Sequence, residues 1–123
     1  MNIDAKISNV IKMLGISPSL KGYYAIRDAV KLVVNDSKYI GAITKKLYPD
    51  VANLCGTTSH RVERTIRHAV ESCWVRGNPE FQCEVFEYGV LDSPFPTSSE
   101  FITTVADYIK LQMEEENENK KDS

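Results

Sequence analysis

The chain is predicted to be all-α, with about six helices built around a helix-turn-helix. Two observations predict this. Apolar residues recur with helical period along the chain, and no run alternates in the manner of a half-buried strand. The stretch Tyr48–Gly77, YPDVANLCGTTSHRVERTIRHAVESCWVRG, reads as two helices joined by a tight turn. At 123 residues the chain suits one domain, long enough to bury a core without staples.

In order along the chain, Ile3, Ile7, Val10, Ile11 and Leu14 mark a first amphipathic helix. Gly15 ends it, and Ser17-Pro18 confirms the break, because a residue before proline avoids the helical region. A second helix is expected from about Leu20 to Val34. Its apolar residues cover more than one face, so it should sit centrally, and Gly22 in its first turns would admit a close neighbour. Asn35-Asp36-Ser37 is a turn and cap. Tyr39, Ile40, Ile43 and Leu47 predict a third helix. Lys45 and Lys46 near its end serve the helix dipole or a phosphate.

The helix-turn-helix is placed at 49–76. Pro49 suits a first helical turn, where its missing N–H is not needed. Gly56 supplies the left-handed residue that stops the first helix, and Thr57, Thr58 and Ser59 are N-cap types for the second. Ala52, Gly56 and Val62 fall at i, i+4 and i+10: a small contact residue, a turn glycine and an aliphatic lock. In the second helix Val62, Ile66, Ala69, Val70 and Cys73 form a core stripe with Trp74 at its edge. His60, Arg61, Arg64, Arg67, His68 and Glu71 fall on the opposite side, with Glu63 at the margin. Arginines on the outer face of such a helix suit DNA reading, since its first turns enter the major groove.

Beyond Gly77, a short helix is expected from Pro79 to about Tyr88, then a loop over Leu91–Pro96. Thr97 and Glu100 form a capping box for a last helix carrying Phe101, Ile102, Val105, Ala106 and Ile109. The domain is drawn as 1–112, and residues 113–123, MEEENENKKDS, as an acidic disordered tail. That tail carries a net charge of −3, so the rest of a chain at −2 overall stands at +1. The four arginines between His60 and Gly77 then dominate the local field, which matters more than the total.

Cys55, Cys73 and Cys83 form no CxxC pair, and they are expected as buried or half-buried structural residues rather than disulfides or zinc ligands. His60 with Cys55 lacks the second ligand pair that a zinc site needs, so no metal and no cofactor is expected. No stretch is long enough to span a bilayer, and MNIDAKISNVIKMLG lacks the apolar region of a signal peptide, so the chain is expected in the cytoplasm. No glycine-rich phosphate loop, carboxylate pair or Ser/Cys–His arrangement stands out, which argues against an enzyme.

Four stretches carry a resemblance: LKGYYAIRDAV (Leu20–Val30), GAITKKLYPDVA (Gly41–Ala52), TTSHRVERTIRHAVESCWVRGN (Thr57–Asn78) and PTSSEFITTVADYIKLQ (Pro96–Gln112). The chain resembles the C-terminal DNA-binding domain of the stage 0 sporulation response regulator. The resemblance implies an effector domain of a two-component phosphorelay that regulates transcription by binding a short DNA box as tandem head-to-tail copies. It puts base-reading roles on Arg61, Glu63 and Arg64, and phosphate contacts on His60, Arg67 and His68. It also implies that Gly77–Val90 and the helix around Ala106 touch an RNA polymerase sigma subunit. The family's receiver domain has no counterpart in this sequence, so a monomer that binds without a phosphoryl donor is expected. His60 is larger than the family's usual residue, and the loop FEYGVLDSPF departs from its glycine-and-lysine pattern. The competing expectation is a helical protein-interaction module that keeps the fold without DNA binding, motivated by the low net charge and acidic tail.

Overall fold

A computed structural model describes residues 2–87 and 94–122, the side chains of Cys73, Lys121 and Asp122 excepted. Six α-helices are present among them: α1 (Ile3–Met13), α2 (Gly22–Asn35), α3 (Tyr48–Cys55), α4 (Ser59–Cys73), α5 (Pro79–Phe86) and α6 (Ser98–Asp122). No strand occurs among the described residues. Tyr88, at the end of the short helix expected from Pro79, and Leu91–Ser93 of the expected loop lie outside the described residues.

Helix α1 starts where the Asn2 side chain accepts a hydrogen bond from the Ala5 N–H at 2.8 Å, and Gly15 at φ 110° turns the chain away. Ile7, Ile11 and Leu14 are fully buried. Helix α2 is central, as its many-sided apolar pattern predicts: it packs against α1, α3, α4 and α6. Tyr23, Ile26, Ala29, Val30 and Val33 fill the space between them.

The predicted third α-helix is not formed. Ser37–Ala42 winds as a 3₁₀ helix and Ile43–Leu47 as a π turn that runs straight into α3. Two local causes converge. Gly41 is a poor helix former, and Ala42 sits outside the helical region at φ −145°, ψ 46°. Pro49 has no N–H to continue an α ladder, and the wider spacing is seen as the Tyr48 N–H donates five residues back to Ile43. The Tyr39 hydroxyl then donates to Asp50 at 2.5 Å, tying this irregular segment to α3.

The last helix is longer than predicted. Thr97 and Glu100 form the capping box, each backbone N–H donating to the other's side chain at 3.1 Å. Residues 113–122, expected as a disordered tail, continue the helix to Asp122. Phe101, Ile102, Val105 and Ile109 pack the first half and so provide the nucleus; extension through Met, Glu and Lys then costs little. Lys6, nearly buried on α1, donates to Glu116 and fastens that extension down. The expected burial of the cysteines also fails where it is visible, because Cys55 and Cys83 are both exposed. Cys55 falls on the outer side of the last turn of α3 and Cys83 on the outer face of α5, while Val51, Ala52, Val85 and Phe86 take the inward positions.

Candidate nucleic-acid interface

The helix-turn-helix forms as its spacing requires. Gly56 adopts φ 66°, ψ 40°, a conformation that L side chains resist. The Thr58 hydroxyl accepts from the Arg61 N–H at 3.3 Å and caps α4. Ala52 and Val62 are both buried, so α3 and α4 close on each other through the two expected positions.

Helix α4 separates into two faces. Val62, Ile66, Ala69 and Val70 are buried, whereas His60, Arg61, Arg64, Arg67 and His68 are exposed. Glu63 is half-buried, and its carboxylate lies 3.7 Å from an Arg67 guanidinium nitrogen. A pair this open and this long adds little stability, so it orients Arg67 more than it holds the fold. Five of the six predicted site residues thus share one solvent-facing surface, and Glu63 stands at its edge.

Behind this surface α2 fixes the position of α4. A Cβ built on Gly22 would meet the Ala69 Cβ at 2.6 Å and the Thr65 carbonyl oxygen at 2.8 Å, so only glycine permits this approach. The far end of α4 is held differently. Trp74 is half-buried and meets Phe86 edge-on at 5.1 Å. The buried Gln82 amide donates to the Trp74 carbonyl at 2.7 Å and to the Leu14 carbonyl at 3.2 Å. Gln82 satisfies carbonyls at the ends of two helices, a role its polar type in a mixed sequence does not announce.

The close approach of α2 brings in a residue absent from the predicted set. Lys21, just ahead of α2, lines a groove of about 560 Å³ whose other wall includes Arg64, Arg67 and His68. Its one sequence signal is electrostatic: a cation at a helix N-terminus lies at the wrong end of the dipole. Among the described residues no group of three His, Cys, Asp or Glu stands close enough to hold a metal. The Cys55 thiol points instead at Asp28, with Sγ 3.6 Å from Oδ2. Partial loss of solvent around the thiol, reinforced by that carboxylate, pushes its pKa up.

A second surface joins segments distant in sequence. Helices α5 and α6 pack through Phe81 and Tyr108, edge-on at 5.8 Å, and the Tyr108 hydroxyl donates to Glu84 at 3.2 Å. Residues 77–87 of the expected partner segment are described; Tyr88, Gly89 and Val90 lie outside the described residues. Ala106 itself is 2% exposed and cannot touch a partner. A groove between α5 and α6 is bordered by Glu84, Glu87, Asp107 and Leu111.

A capped, glycine-turned helix pair with a cationic outer face defines a helix-turn-helix domain of the DNA-binding class. The family model described as sporulation initiation factor Spo0A C terminal matches residues 7–109. The chain belongs to this family. It is therefore an all-helical, non-enzymatic effector domain of a sporulation response regulator, acting in DNA binding and transcription regulation. No helix among the described residues is long and apolar enough to cross a membrane.

Proposed function

We propose that α4 enters the major groove of a short DNA box, where Arg61, Glu63 and Arg64 read base edges while His60, Arg67 and His68 hold phosphates. The observation that carries this reading is the exposed cationic row on a helix whose opposite face is buried. Arginine offers guanine two parallel donors, and a carboxylate accepts from cytosine N4. Glu63 must release Arg67 to do so, which couples a base contact to a phosphate contact.

The chain is read as a cytoplasmic monomer that lines up head to tail on tandem boxes, since such contacts do not close into a two-fold dimer. The acidic-rimmed groove between α5 and α6 is read as the surface for an RNA polymerase sigma subunit.

The test is titration of a box duplex and a scrambled duplex at two salt concentrations. Arg61→Ala and Arg64→Ala are each expected to lose about 1–3 kcal/mol of preference for the box, with unchanged melting. Wild-type discrimination in either variant overturns the placement of the reading face. Absence of salt-dependent duplex binding by the wild type favours the interaction module instead. Sedimentation of the free protein should give a monomer.

A further inference from the structure

Lys21 stands beside the α4 face that the proposed function turns toward DNA, and its role rests on that reading. Lys21 is exposed and, among the described residues, makes no ion pair. Its side chain makes no capping bond, and its charge opposes the α2 dipole, so local stability gives no reason for a lysine there. Its backbone position is nonetheless rigid relative to α4, because the adjacent Gly22 is wedged against Ala69 and Thr65. Lys21 therefore holds a fixed place beside the cationic row.

Two grooves flank it. One, of about 420 Å³, sets Lys21 and Arg61 beside the Asp28 carboxylate and the Cys55 thiol, a smaller excess of cations for an anion to meet. The other, of about 560 Å³, sets Lys21 against Arg64, Arg67 and His68, with Glu71 the one carboxylate in its lining. A strand running past an α4 seated in the major groove would lay its phosphates along this second groove. We propose that this groove seats a phosphate of the DNA backbone, clamped by Lys21 at the start of α2 and by Arg67 and His68 from α4, and that Glu71 tempers its affinity.

A phosphate contact is blind to sequence, so the probe is a mixed-sequence duplex alongside the box duplex, each titrated over a salt series. Lys21→Ala should weaken both duplexes by the same factor, up to about tenfold near 0.1 M salt, and lower the salt slope by about one. Lys21→Arg should restore both. Glu71→Gln should strengthen both duplexes. Melting temperatures should stay at wild type, because Lys21 and Glu71 are exposed. Wild-type affinity and slope in Lys21→Ala, or a loss confined to the box duplex, would overturn the proposal. Arg64→Ala separates the two readings. If it loses box preference while Lys21→Ala changes nothing, the base-reading face stands and the clamp falls. If neither variant alters binding, both fall.

Discussion

Gly22 and Ala69 stand so close that a methyl group on the glycine would lie 2.6 Å from the alanine Cβ. This contact sets the distance between the central helix and the helix that carries the arginine row. Gly22→Ala should therefore destabilise the domain by about 1–3 kcal/mol, the usual cost of overpacking. Ala69→Gly in the same chain should recover only part of the loss, because the Thr65 carbonyl oxygen at 2.8 Å remains. Denaturant midpoints of the single and double variants measure both effects; a neutral Gly22→Ala would show that the helices separate freely.

Arg67 is expected to behave unlike its neighbours Arg61 and Arg64. Arg67→Ala should weaken box and scrambled duplexes alike and flatten the salt slope by about one. Glu63→Gln, by releasing Arg67, should steepen binding to scrambled duplex while reducing box preference. A loss in Arg67→Ala confined to one box position would mean that this arginine reads a base.

Trp74 closes the end of α4 against Phe86, but it is only half-buried. Trp74→Ala should cost less than the roughly 3–5 kcal/mol of a fully buried aromatic, on the order of 1–3 kcal/mol. Phe86 is buried and also meets Phe101 at 5.8 Å, so Phe86→Ala should cost more than Trp74→Ala. Reversal of that order in thermal melts would place the anchor of α4 elsewhere.

The α6 extension should respond to acid. The hydrogen bond from Lys6 holds the Glu116 carboxyl below the usual glutamate range. A carboxyl with a depressed folded value contributes stability above its unfolded value, and that contribution is lost as pH falls through the folded value. Hydrogen-exchange protection of the amides around Met113–Glu118 should accordingly fall below about pH 4. Glu116→Gln should lower protection at neutral pH and remove the acid dependence. Protection independent of pH in the wild type would mean that the clasp does not hold the extension.

The helix-turn-helix was legible in the sequence because its constraints are local. A glycine at φ 66°, a threonine cap and a stripe at helical spacing each act within a few residues of where they are written. The exposure of Arg61, Arg64 and Arg67 followed from the same periodicity. Residues 37–47 did not form the predicted α-helix, because Gly41, the non-helical Ala42 and the missing N–H of Pro49 break an α ladder that apolar spacing alone does not register. The extension of α6 escaped for a related reason. Composition marks MEEENENKKDS as polar, whereas a packed nucleus upstream and Lys6 on α1 keep residues 113–122 helical. Lys21 was invisible as a partner of the arginine row until Gly22 brought α2 against α4, 43 positions ahead of Arg64 in a chain where only contact makes them neighbours. Period and capping determined which helices exist and which face carries the charge. Close packing between distant helices decided which cations stand together, because that depends on how near two backbones can approach.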